Sequence, residues 1–81
     1  MLILVSNLPK DGYSFREFAE LIDGYDPVLE TQWAIDDAGE FRGFAYVRLL
    51  DGVGPSFIER LHGMTYDGRR LRVKEASEVV A

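Results

Sequence analysis

Residues Arg42-Gly43-Phe44-Ala45-Tyr46-Val47-Arg48-Leu49 alternate in a way that suits a strand covered on one side only. A β-strand sends successive side chains to opposite faces, so Arg42, Phe44, Tyr46 and Arg48 point one way and Gly43, Ala45, Val47 and Leu49 the other. The small and aliphatic set suits a core. The other set, two rings flanked by two cations, is not what an ordinary half-buried strand shows to water. Flat ligands account for it. Aromatic rings stack on nucleic-acid bases for roughly 1–3 kcal/mol per base, and neighbouring guanidiniums meet phosphates or add cation–π attraction. The octet therefore calls for a sheet with one packed face and one open face.

The flanking sequence supplies the remaining elements. A first strand is read at about residues 2–6, followed by a turn through Pro9-Lys10-Asp11-Gly12. A first helix begins at Ser14, where Ser14 and Glu17 make the Ser-x-x-Glu capping box, and Phe15, Phe18, Leu21 and Ile22 repeat at helical spacing to about Asp23 and Gly24. Both phenylalanines of this helix are read as core. A second strand covers about 28–35, with Leu29, Thr31, Trp33 and Ile35 on one face, and Trp33 directed to the core. The turn Asp36-Asp37-Ala38-Gly39 joins it to the octet strand, about 41–49, as an antiparallel hairpin. A short second helix runs from Pro55 to His62, with Pro55 suited to its first turn and Gly63 to its end. Gly52 and Gly54 loosen its start. A last strand is read from Arg69 to Lys74.

The order β-α-β-β-α-β implies an α+β, ferredoxin-like sandwich: a four-stranded antiparallel sheet with both helices on one face. With 81 residues the chain makes one domain, assigned to residues 1–76 with a short C-terminal tail at 77–81. A domain near this size buries only about 60% of its unfolded surface, so modest stability is expected. Cysteine is absent, which excludes disulfides, a thiolate nucleophile and cysteine-ligated zinc. The N-terminal residues show no signal-peptide pattern and no stretch long enough to span a membrane, so an intracellular location is expected: cytoplasmic in a bacterium, nuclear or cytoplasmic in a eukaryote.

The octet closely resembles the signature octamer of the RNA recognition motif, Lys/Arg-Gly-Phe/Tyr-Gly/Ala-Phe-Val-x-Phe/Tyr; with Tyr46 allowed for Phe, only Leu49 departs. Ile3-Leu4-Val5-Ser6-Asn7-Leu8, followed by Pro9, resembles the family's hexamer on the first strand, with Leu4 at the normally aromatic second place. Gly63, then Tyr66-Asp67-Gly68-Arg69, then Leu71 and Val73 alternating to Ala76, extend the resemblance over nearly the whole chain. The resemblance implies that the two signature strands lie side by side in the middle of the sheet, setting Leu4 and Ser6 next to Phe44 and Tyr46. It also implies single-stranded RNA, or single-stranded DNA, bound across the open face. Phe44 and Tyr46 would be the platforms, with Arg42 on phosphate, supported by Arg48, Arg70, Arg72 and Lys74. Leu4 lacks a π-face, so one stacking contact is lost, about 1 kcal/mol or more. Asn7 is expected to fix the loop after the first strand, and main-chain groups near Lys74 to Ser77 to pair with base edges.

Charge opposes this reading in total and supports it in distribution. With 9 basic and 14 acidic side chains the net charge is −5. If Leu71 and Val73 point to the core, Arg70, Arg72 and Lys74 join Arg42 and Arg48 on the open face, while Glu17, Glu20, Asp23 and Glu59 ride on the helices. Glu30, Asp36, Asp37 and Glu40 make one rim acidic. No cofactor, metal site or catalytic residue is expected. His62, the sole histidine, sits near a helix end, where it suits capping of carbonyls, and the loop around Asp36-Asp37 lacks the spaced ligands of a calcium loop. None of Gly52, Gly54, Gly63 and Gly68 follows a strand as a phosphate loop does. An enzyme such as a small phosphatase of this fold lacks its arginine-bearing phosphate loop after the first strand. The competing reading is a protein-interaction module on the same fold, with a protein partner or a second copy as ligand. The acidic first helix fits such a module, but Met64-Thr65-Tyr66 lacks the arginine of its Arg-x-Phe loop.

Overall fold

The structure is a computed structural model that describes residues 1–10, 12–23 and 27–77, with the side chains of residues 12–15 and 23 outside the described set. The predicted capping box at Ser14, the core position of Phe15, the helix end at Gly24 and the tail beyond Ser77 lie outside the described residues. In chain order the elements are β1 (Leu2–Ser6), α1 (Gly12–Asp23), β2 (Val28–Ile35), β3 (Phe41–Leu49), α2 (Gly54–Leu61), β4 (Thr65–Tyr66), β5 (Arg69–Arg70) and β6 (Arg72–Ala76). The main sheet has the order β2-β3-β1-β6, every neighbouring pair antiparallel, and β4 and β5 form a separate two-stranded ribbon. This is the predicted ferredoxin-like α+β arrangement, with the two signature strands β1 and β3 side by side.

Alternation decides which face is covered. Ile3 and Val5 of β1, Ala45, Val47 and Leu49 of β3, and Val73 of β6 are buried in one core cluster with Phe18 and Ile22 of α1 and Phe57 of α2. Phe18 is central to it. Its ring meets Trp33 of β2 edge-on at 6.3 Å between centroids and Tyr66 of β4 at 5.2 Å, and Trp33 in turn meets Phe41 at 6.0 Å. Trp33 is thus a core-side residue, as its alternation predicts. Gly54, the first residue of α2, is buried, and a Cβ there would overlap Met1 Sδ. The glycine that weakens the helix start in propensity thereby lets the N-terminal residue pack against it. Among the described residues no helix is long and apolar enough to cross a membrane.

Four expectations need correction. Leu29 and Ile35 are 58% and 47% exposed, because the β2–β3 register slips between Val28 and Glu30 and again between Trp33 and Ile35. An extra residue at the first slip breaks the two-residue repeat, leaving Thr31 and Trp33 to hold the core side. Leu21 is also 58% exposed: α1 turns its Phe18–Ile22 stripe to the sheet, and Leu21 stands at the lip of a cleft lined also by Ile22, Phe57, Arg60 and Leu61. The single strand read from Arg69 to Lys74 is two strands. Asp67 and Gly68, at φ 51° and 78°, make a two-residue turn that folds Arg69–Arg70 back on Thr65–Tyr66, and β6 starts only after the fully buried Leu71. Finally, among the described residues the His62 ring caps no carbonyl. Its Nδ1 accepts a hydrogen bond of 3.0 Å from the Val73 N–H on the outer edge of β6, while the His62 backbone N–H donates to Ile58 O at the helix end. An unpaired edge N–H is thereby covered.

Thr31 Oγ1 is buried without a hydrogen-bond partner among the described residues. Burying an unpaired hydroxyl costs about 1–3 kcal/mol in proteins, and valine has the same branched shape without it. Thr31→Val is expected to raise the thermal midpoint by about 4–8 °C per kcal/mol recovered. An unchanged or lower midpoint by calorimetry would show that the hydroxyl finds a partner in solution.

Candidate functional site

Both helices pack on the aliphatic face, and among the described residues no further layer covers the other face of the main sheet. Strand pairing writes that face as rows. Lys74 of β6 lies beside Leu4 of β1, Leu4 beside Tyr46 of β3, and Tyr46 beside Gln32 of β2. One row on, Ser6 pairs with Arg72; on the other side, Leu2 pairs with Ala76 and Arg48, and Arg48 with Glu30. Phe44, two residues before Tyr46, shares its face. The predicted group Leu4, Ser6, Arg42, Phe44, Tyr46, Arg48, Arg72 and Lys74 is therefore brought to one surface. Arg70 is not part of it: it lies on the β4–β5 ribbon beside the sheet, and its carbonyl accepts a 2.8 Å hydrogen bond from Asn7 Nδ2.

The two aromatics are not equivalent. Tyr46 is only 8% exposed, whereas Phe44 is half-buried. Their rings are 6.1 Å apart and nearly perpendicular, at 83°, so the two do not offer parallel faces to one stack of bases. Arg42 places its guanidinium carbon 5.3 Å from the Phe44 centroid, within cation–π range. The cation expected for phosphate thus already sits on the more open ring. Arg48, on the β2 side, lies 3.9 Å from a Glu30 carboxylate oxygen, and both side chains are more than half exposed. Such a surface pair is worth at most about 1 kcal/mol, yet it cancels one positive charge locally.

Charge divides the surface from side to side. Arg72 and Lys74 on β6 are exposed and stand beside β1, while the β2–β3 turn carries Asp36, Asp37 and Glu40. Within that turn Asp36 Oδ1 accepts hydrogen bonds of 2.9 Å from the N–H groups of Ala38 and Glu40. Among the described residues no group of three or more His, Asp or Glu is arranged to hold a metal ion.

Three further residues border the surface. Gln32 completes the row of Lys74, Leu4 and Tyr46, and its alternation with Thr31 and Trp33 carried that information. Lys10 passes close to Gly43, where an added Cβ would stand 3.3 Å from both Lys10 Cε and Leu8 O. Arg69 donates a 2.8 Å hydrogen bond to Asn7 Oδ1. The last two are loop-to-strand contacts with no periodic signal. Asn7, at φ 63°, fixes the loop after β1 to the strands that follow, as predicted.

No family model matches the chain, and no curated protein does. Solved structures do. RNA Binding Protein PG1 is 31% identical, with 100% of this chain and 99% of that chain covered and a TM-score of 0.78. The RRM of RNA15 is 20% identical over 94% of this chain and 88% of its own, with a TM-score of 0.79, and it has also been solved with bound RNA (GU). The Sex-lethal RNA recognition domains 1 and 2 from Drosophila melanogaster are 26% identical, covering 95% of this chain and 50% of that one, at a TM-score of 0.77.

Gly43 joins Arg42 to Phe44 at φ 90°, a conformation that costs an L-residue about 1–2 kcal/mol. Gly43→Ala is expected to lower stability by at least that amount and to move the amide resonances of Leu8, Lys10 and Phe44. A variant with wild-type stability and spectrum would contradict the conformation assigned to this strand.

Proposed function

Because this chain belongs to the RNA recognition motif family, we propose that it binds single-stranded RNA on the helix-free face of its sheet, with modest affinity. The observation that carries the proposal is the half-exposed Phe44, flanked by Arg42 on β3, on the face where β1 and β6 bring Leu4, Ser6, Arg72 and Lys74. One base stacks on Phe44, and the Arg42 guanidinium moves from the ring to the adjoining phosphate. A second base lies over Leu4 and the edge of Tyr46, where an aliphatic body gives contact but no π-stacking. Arg72 and Lys74 hold the phosphates on the β6 side. Arg48 contributes less, because Glu30 competes for it. Single-stranded DNA is accepted by the same contacts, since neither stacking nor phosphate pairing reads the 2′-hydroxyl.

A second reading, a protein-interaction module, draws on the cleft between the helices, where Leu21 is 58% exposed beside Ile22, Phe57, Arg60 and Leu61. It leaves the aromatic and cationic residues of the open face without a role.

Substitutions separate stacking from folding. Phe44→Ala is expected to weaken RNA binding by about 1–3 kcal/mol with little loss of stability, whereas Tyr46→Ala should lose stability as well, given its burial. Leu4→Phe restores a π-face and is expected to tighten binding by about fivefold, the equivalent of about 1 kcal/mol at the low end of the per-base range. If Leu4→Phe leaves the affinity unchanged in fluorescence titration, Leu4 does not lie under a base.

A further inference from the structure

Arg69 stands outside the main sheet, on the two-residue strand β5, yet the fold fixes its guanidinium by a side-chain hydrogen bond to Asn7. Asn7 immediately follows β1 and adopts a left-handed conformation, φ 63°, which asparagine tolerates better than most residues. In that conformation its side-chain amide uses both ends. Nδ2 donates to Arg70 O at 2.8 Å, and Oδ1 accepts from Arg69 Nη2 at 2.8 Å. The first bond pins the ribbon to the end of β1. The second fixes the guanidinium through one of its five N–H donors and leaves the other donors for a ligand. Its hydrogen-bond partner is a neutral amide rather than a carboxylate, so its charge is not cancelled there. Arg69 is exposed.

Its place in the register gives this a direction. Lys74 pairs with Leu4, Arg72 with Ser6, and Asn7 comes next along β1, so Arg69, bonded to Asn7, lies beyond Arg72 at the Ser6 end of the β1–β6 pair. On the opposite flank stand Glu30, Asp36, Asp37 and Glu40, which repel a phosphate chain. We propose that Arg69, positioned by Asn7, is a phosphate-binding residue that extends the nucleic-acid site from the sheet onto the β4–β5 ribbon. Here the backbone leaves the sheet past the Ser6 end of β1. The proposal rests on the RNA reading above. Arg69 touches the ligand, and Asn7 is a positioning residue that acts through it.

The test is fluorescence anisotropy of a labelled oligouridylate titrated with the domain at several salt concentrations. Each phosphate neutralised contributes about 0.7 to the slope of log affinity against log salt for single strands. Arg69→Gln is expected to lower the slope by about 0.7, a difference of about 2.6-fold over a fourfold rise in salt. Arg16→Gln, the same charge change on exposed α1, should leave the slope unchanged. Asn7→Gly keeps the left-handed conformation without strain and removes the tether. It should produce part of the Arg69→Gln loss, and the double variant should lose no more than Arg69→Gln alone. Circular dichroism melts confirm folding of each variant. Wild-type binding with an Arg69→Gln slope equal to wild type, or equal losses for Arg16→Gln and Arg69→Gln, overturns the Arg69 assignment and leaves the sheet reading intact. Absence of wild-type binding overturns both.

Discussion

The edge-to-face packing of Phe18 against Trp33 and Tyr66 is the contact on which the rest of the structure depends. It ties α1 to the edge strand β2 and to the β4–β5 ribbon through one ring that is 1% exposed. Each such aromatic pair adds about 0.5–1.5 kcal/mol beyond the area it buries. Ile22 and Phe57 complete the helix layer over Ile3, Val5, Val47 and Val73. Among the described residues no third layer covers the far side of the sheet. Committing the helices to one face therefore leaves Leu4, Phe44 and the β6 cations facing solvent.

Electrostatics then selects among ligands. The net charge of −5 disfavours phosphate at long range, but exposed charges are screened beyond about 8–10 Å at ordinary ionic strength. What a bound strand meets is local: Arg72 and Lys74 beside β1, and Arg42 over Phe44. The acidic turn of Asp36, Asp37 and Glu40 lies on the other flank and narrows the available path. An asymmetric surface of this kind fixes where a phosphate chain runs, although it supplies little long-range steering.

Much of this was legible in the sequence, and the parts that were not share physical causes. Alternation in 42–49 identified the buried set Ala45, Val47 and Leu49, and the family resemblance set Leu4 beside Tyr46 on the open face; β1 and β3 pair without a slip from Leu2–Arg48 to Val5–Ala45. The same rule failed at Leu29 and Ile35, where β2 slips register against β3, since a bulge has no signature in a two-residue repeat. The Asp67-Gly68 pair did carry a hairpin signal, yet the alternation of Leu71 and Val73 made Arg69 to Lys74 read as one strand, which misplaced Arg70. Exposure of a ring depends on its neighbours rather than its face, so Tyr46 is enclosed where Phe44 is not. The Asn7–Arg69 bond joins residues 62 positions apart and could only be seen in three dimensions.

The most direct test of the central claim, that the helix-free face binds RNA, is an NMR titration of the isotope-labelled domain. A pool of short random single-stranded RNA is added at low salt, and the amides of β1, β3 and β6 are followed. Shifts centred on Leu4, Phe44 and Arg72, with Leu21 and Ile22 of α1 unmoved, are the predicted result. No shift on the sheet at millimolar RNA, or shifts confined to the cleft between the helices, would contradict it and move the ligand surface to the opposite side of the domain.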